Sequence, residues 1–238
     1  MSKIERLALI RHGESLGNAA ETADYHGSMD SWEAEDWALS ENGWEQGRLT
    51  GQWLRDLDIA KSSEEIIWCS EMLRAKQTVI AMGMKAIMAT KTNIHERPTG
   101  DLSWQEMKRQ ILNASPDTCK EVVFGDFGGK VEPLGKTIER VRPMLEAAEQ
   151  VDTQGSLALV SHGHIIMAAR IILETLSEDQ VVDILRNPNG GNRIHNGDIL
   201  LYSRSNTSRS FTRKQHFSPT RNTIFDPVSI NGGLGVGQ

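Results

Sequence analysis

The 238-residue chain carries a formal net charge of -6, two cysteines and 38% apolar residues. That length fits one α/β unit with insertions, and the acidity excludes nucleic-acid binding over the whole surface while allowing a local cationic pocket. Cys69 and Cys119 are too few for a disulfide framework and point to a reducing, cytoplasmic setting, and the sequence shows neither a signal peptide nor an apolar run of about 18 residues that would span a bilayer.

Leu7-Ala8-Leu9-Ile10 is too short for a helix and reads as a buried strand that stops in Arg11-His12-Gly13-Glu14-Ser15. Leu16 to Trp37 is polar and reads as a long loop with room for one short helix. Ser40 offers an N-cap for a helix over 41–56, with Leu49, Trp53 and Leu57 on one face. Ile66 to Cys69 is a second strand, followed by Ser70 as a cap and a helix over 72–89 with Arg74 in its first turn. Ile94 reads as the remnant of a strand before His95-Glu96-Arg97. Met107, Ile111 and Leu112 suggest a helix, and 113–129, with Pro116, Gly125, Gly128 and Gly129, reads as a lid-like loop.

A helix over 137–150 presents Ile138, Val141, Leu145 and Ala148 on one face. Leu157 to Val160 is a third apolar strand, ending in Ser161-His162-Gly163-His164. A helix over 165–176 follows, then one capped by Ser177 that ends near Asn187-Pro188, then a strand over Ile199 to Tyr202 paired with Phe211 to Phe217 as a hairpin. Alternating strands and helices predict an α/β fold of three layers, a mostly parallel central sheet with helices on both faces. The expected domain is 1–218, with insertions at about 19–37 and 104–135, followed by a flexible tail over 219–238.

Two apolar strands thus end in a histidine followed by glycine. If they are parallel, His12 and His162 leave the sheet at one edge, where open α/β sheets bind ligands, and the glycines permit close backbone approach. One such histidine alone would be an exposed residue after a capped strand; two together indicate a site. A metal held by His12, His162 and His164 is a poor match to zinc spacing, with no carboxylate or cysteine beside the His-x-His, and His164 reads as a rim histidine.

Arg11-His12-Gly13-Glu14-Ser15 with Asn18, Leu39-Ser40 with Gly43, Ser70 with Arg74-Ala75 and Gln77-Thr78, Glu96-Arg97 with Gly100, Ser161-His162-Gly163, and Asn196 occur in that order. This series resembles the motifs of the histidine phosphatase superfamily, the phosphoglycerate mutase-like family, over most of residues 4 to 202. Glu71 stands where the family usually has Pro, and Met72 where it usually has Leu. The resemblance implies a phosphoglycerate mutase-like fold, His12 as nucleophile, Arg11 and Arg74 as phosphate clamps, His162 as a donor to the phosphoryl oxygens and Glu96 as general acid. Glu14 is the rival carboxylate; Ser15, Asn18 and Gly163 are further phosphate contacts. Arginine's planar fork matches two phosphate oxygens, a helix N-terminus near Arg74 attracts anions, and a general acid needs a raised pKa. The alternative for Arg74 is a solvated first-turn arginine.

The resemblance implies no cofactor and no metal. The expected partner is a small phosphorylated substrate, with no nucleic acid and no membrane, and a second copy of the chain is the candidate protein partner. Mutases of the family typically carry a longer insertion with Arg-Arg-Ser and an HGN motif; this chain has Lys108-Arg109-Gln110 and His162-Gly163-His164. Both departures favour a phosphomonoester hydrolase over a phosphoglycerate mutase, and the complete set of reactive residues disfavours a non-catalytic phospho-ligand module. The basic run from Arg204 to Arg221 reads as a solvated hairpin. Substrate choice is expected to rest on 24–37 and 104–136.

Overall fold

The computed structural model describes residues 4–22, 37–59, 66–84, 87–97, 104–125, 131–151, 155–187, 190–204, 211–221 and 223–225. Its centre is a seven-stranded sheet in the order β3-β2-β4-β1-β5-β6-β7. The strands are β1 (Arg6–Arg11), β2 (Ile66–Ser70), β3 (Ile87–Lys91), β4 (Ser156–Ser161), β5 (Ile199–Ser203), β6 (Thr212–Ser218) and β7 (Thr223–Phe225). The first four are parallel, and β5, β6 and β7 extend the sheet antiparallel beyond β1.

Side chains alternate across the pleat, and the two faces build two cores. Leu7 and Leu9 with Leu157 and Leu159 face one core; Ala8 and Ile10 with Ala158 and Val160 face the other. The second core is covered by α2 (Glu41–Asp56) and α3 (Leu73–Ala81). The first is covered by α4 (Trp104–Asn113), α5 (Pro116–Phe124), α6 (Leu134–Ala148), α7 (Gly163–Glu174) and α8 (Glu178–Arg186). A short α1 (Leu16–Thr22) leaves the end of the first motif. Among the described residues no helix is long and apolar enough to cross a membrane.

Several expectations are corrected. The helix expected over 72–89 stops at Ala81; Gly83 takes a left-handed φ of 61°, and Ile87–Lys91 joins the sheet beside β2. Ile94 ends a 3-10 turn, not a strand. Within the lid-like loop expected over 113–129, residues 116–124 are helical: Ser115 accepts from Thr118 N–H as N-cap, Pro116 opens the helix and Gly125 closes it. Beyond Ser218 the chain adds a 3-10 turn and β7 to the sheet, so ordered structure runs past the expected tail boundary; 226–238 lie outside the described residues, as do 23–36 of the first insertion.

At its described arginines the basic run is not a solvated hairpin; 205–210 lie outside the described residues. Arg213 is buried, with an Nη on Asn192 Oδ1 at 2.9 Å and another 3.7 Å from Glu174, and Arg204 lies over the Phe211 ring at 4.7 Å. Glu174 also holds the fully buried Arg170 through two hydrogen bonds and accepts from Tyr202 Oη at 2.5 Å, while Arg170 donates to Asn192 O at 2.7 Å. His216 has both ring nitrogens on acceptors, Gly191 O at 2.8 Å and Asp198 Oδ2 at 2.9 Å. These buried polar contacts fasten the 190–198 segment onto α7 and β6.

Candidate active site

β1 and β4 are adjacent and parallel, with Arg11 opposite Ser161, so His12 and His162 leave the same sheet edge one residue later. Their ring centroids lie 5.0 Å apart, and both side chains are buried. The backbone around His12 is held from several directions. Its N–H donates to Ser161 O at 2.9 Å, Asn196 Nδ2 donates to its carbonyl at 3.0 Å, and Thr78 Oγ1 accepts from Gly13 N–H at 2.9 Å. Gly13 and Gly43 are required where they stand, because a Cβ on either would collide with the other segment's backbone.

The tautomer of His12 follows from its partners. Nδ1 lies 2.6 Å from Gly13 O, which can only accept, so Nδ1 carries the proton. Nε2 keeps its lone pair and accepts from Arg74 Nε at 3.2 Å. Burial first, then the charges of Arg74, His162 and Arg11, hold the imidazole well below its ordinary pKa. His12 is therefore neutral at physiological pH with a nucleophilic nitrogen beside two guanidinium groups.

His162 is arranged to donate. Ser70 Oγ accepts from Met72 N–H at 3.4 Å, and His162 Nε2 at 2.8 Å is the one acceptor among the described residues within reach of its own proton, so the hydroxyl donates there. Nδ1 then bears the proton; it finds no hydrogen-bond partner among the described residues and is 3.9 Å from Glu96 Oε2. A buried donor without an acceptor is costly unless a ligand supplies one. Burial lowers His162 to about 3, against the opposing charge of Glu96.

Arg11 donates to Ile194 O at 3.2 Å, and a Cβ added at Gly163 would just reach its guanidinium at 3.7 Å. Arg74 is 6% exposed, which excludes a solvated first-turn arginine. Glu96 lies between His162 and His164, whose Nδ1 is 3.7 Å from Glu96 Oε1. Burial pushes this carboxyl up, but the neighbouring His164 and His162 rings and the Arg74 guanidinium outweigh it and hold the free site's Glu96 below the usual carboxylate range. This reverses the raised value expected for a general acid. His164 is likewise not a mere rim residue, since its side chain is 16% exposed and tied to that carboxylate.

Glu14, the rival carboxylate, accepts from Ser40 Oγ at 2.7 Å at the start of α2. Ser15 and Asn18 bond each other across the first turn of α1, and Asn18 Oδ1 accepts from Asn196 Nδ2 at 3.1 Å. Arg11, His12, Glu14, Ser15, Asn18, Arg74, Glu96 and Gly163 line one cavity of about 340 Å³, with His162 beneath it. Ser70, read as a cap, is instead the last residue of β2 and the partner of His162. Arg193 and His195 also line the cavity; they follow a turn with no periodicity that could have flagged them.

The family model described as histidine phosphatase superfamily (branch 1) matches residues 7–191. The probable phosphoglycerate mutase GpmB of Erwinia tasmaniensis is 29% identical over 174 residues, covering 71% of this chain and 73% of its own. Among solved structures, the phosphoserine phosphatase of Entamoeba histolytica in complex with 3-phosphoglyceric acid superposes with a TM-score of 0.63 at 18% identity, over 90% of this chain and 96% of that one. The mycobacterial glucosyl-3-phosphoglycerate phosphatase gives 0.62 at 20% identity, over 84% and 92%. At these identities the two structures speak for the fold.

Proposed function

We propose that this chain, which belongs to the histidine phosphatase superfamily, is a phosphomonoester hydrolase that works through a phosphohistidine on a small phosphorylated molecule. The observation that carries the reading is the fixed tautomer of His12, with its Nε2 lone pair beside Arg74 at the floor of a cationic cavity. The phosphoryl group sits between Arg11, Arg74 and His162 Nδ1, whose donors meet the charge spread over its oxygens. Nε2 attacks phosphorus, the bond from phosphorus to the ester oxygen breaks, and that oxygen takes a proton from Glu96. The ionised Glu96 then removes a proton from water as the water oxygen attacks phosphorus, releasing phosphate and restoring His12.

Glu96 serves better than Glu14, which is already held by Ser40. A bound phosphate dianion opposes the cations that hold Glu96 ionised and so raises its pKa toward a working value. The two arginines carry the positive charge needed at the phosphoryl oxygens and His162 adds a donor, so the reading is metal-independent: activity should survive excess chelator.

His12→Ala tests the mechanism. Hydrolysis of phosphomonoesters should fall by at least about a thousandfold, and wild-type protein quenched during turnover should hold acid-labile phosphate on a histidine. Undiminished activity in the variant would overturn the reading. The likeness to a probable phosphoglycerate mutase favours one second reading. Strong interconversion of 3- and 2-phosphoglycerate with a bisphosphoglycerate primer, and negligible phosphate release, would replace hydrolase by mutase.

A further inference from the structure

The cavity has two unlike halves. Its floor carries Arg11, His12, Arg74 and Glu96, which the phosphoryl transfer uses. The facing wall, built by α4, α7 and α8, presents Met107, Ile111, Leu112, Met167 and Leu185, continued by Ile194. Met107, Ile111 and Met167 are buried members of the larger core that back the cavity, and Leu112 and Leu185, only partly buried beside them, offer the wall's accessible apolar surface. A volume of about 340 Å³ is that of a small-molecule site, and a phosphoryl group fills only its charged floor. The remainder is occupied by whatever the phosphate is attached to.

The wall discriminates among such groups. A hydroxyl or carboxylate laid against methionine and isoleucine loses its water without gaining a partner, a cost that is greater for a charge than for a neutral group. A compact apolar group loses nothing there and gains in proportion to the apolar area removed from water. Two cations also reach the cavity, Lys108 and Arg193, the latter with one Nη on Leu185 O at 2.9 Å. They make a carboxylated ester the competing occupant.

We propose that the substrate is a phosphate monoester of a compact apolar alcohol or phenol, its phosphate on the arginine and histidine floor and its organic group against Met107, Ile111, Met167 and Leu185. The inference rests on the hydrolase reading and adds the class of leaving group.

The test compares primary-alcohol esters, so that leaving-group position is matched: benzyl phosphate against glycerol 1-phosphate, phosphoserine and 3-phosphoglycerate. Benzyl phosphate is expected to show kcat/KM at least about tenfold above each. Leu185→Gln and Leu112→Gln, changes at partly exposed helix positions, should shrink that ratio by about five- to tenfold, with circular dichroism and melting unchanged. A parallel measurement needs no turnover: benzylphosphonate should bind about tenfold more tightly than methylphosphonate by calorimetry. If phosphoserine or 3-phosphoglycerate is the better substrate and benzylphosphonate has no advantage, the apolar seat is overturned and hydrolysis stands. If no ester is hydrolysed yet benzylphosphonate keeps its advantage, hydrolysis fails and the apolar seat stands.

Discussion

His162 and His164 are two positions apart at the N-terminus of α7, yet they approach different oxygens of Glu96, at 3.9 and 3.7 Å. The groups acting on this carboxylate are therefore His162, His164 and Arg74, with the Arg97 backbone N–H donating to Oε1 at 2.9 Å, while His164 in turn feels the charges of Arg97 and Arg11. His164→Asn removes one of the interactions that lowers Glu96, so the carboxyl should rise. If Glu96 donates the leaving-group proton, the pH limb along which activity falls with increasing pH should move to higher pH in the variant, read from kcat profiles, which report the substrate-bound site. A limb that stays in place would take Glu96 out of the proton transfer. The positions of His12, Arg11, Arg74, Glu96 and His162 were legible as an ordered motif. The sign of Glu96's shift was not, because it depends on a histidine brought alongside by the turn from β4 into α7.

Glycine shows at the level of elements how the site's floor is supported. In α2, a Cβ at Gly47 would meet Ala81 and one at Gly51 would collide with Met82 O, so the two glycines let α2 lie directly on the end of α3, the helix that carries Arg74. Alanine at an interior helix position normally gains up to about 1 kcal/mol over glycine. At Gly51 the obstacle is backbone and cannot rotate away, so Gly51→Ala should lower unfolding free energy by about 1–3 kcal/mol, measured by urea denaturation. Gly135→Ala, near the start of α6 with nothing within 4 Å of the added carbon, should be neutral or stabilise by up to about 1 kcal/mol. Equal effects at the two positions would contradict the packing argument. The same physics explains which elements could be read from sequence. Apolar runs such as Leu157 to Val160 announce buried strands, whereas Pro116 and Gly125 looked like loop residues although they bound α5 at its two ends. A proline or glycine count does not distinguish punctuation from interruption.

For the whole molecule, burying so many imidazoles ties stability to pH. His12, His162, His164 and His195 all lie below their ordinary 6.5, burial being the first cause in each, with His162 at about 3 and His195 at about 4. Below 6.5 the unfolded chain takes up protons that the folded site refuses, so stability present above that pH is lost progressively as pH falls. For His162 alone the loss by pH 5 is on the order of 2 kcal/mol. The urea midpoint should accordingly be lower at pH 5 than at pH 7, and His162→Gln should lose less between the two; coincident midpoints for the wild type would contradict the neutral, buried state of these rings.

The pairing of β1 with β4 has a further consequence for how the protein is made. Arg6 and Ser156, which bond where the two strands begin, are 150 positions apart. Closing a loop of that size costs about 4 kcal/mol of chain entropy before any contact offsets it. At about 5–20 residues per second of translation, β1 leaves the ribosome roughly 8–30 s before β4 is complete, with the edge that β4 will occupy still open. A nascent chain that ends before β4 holds His12 but not His162, and so carries half a phosphate cradle and no working one.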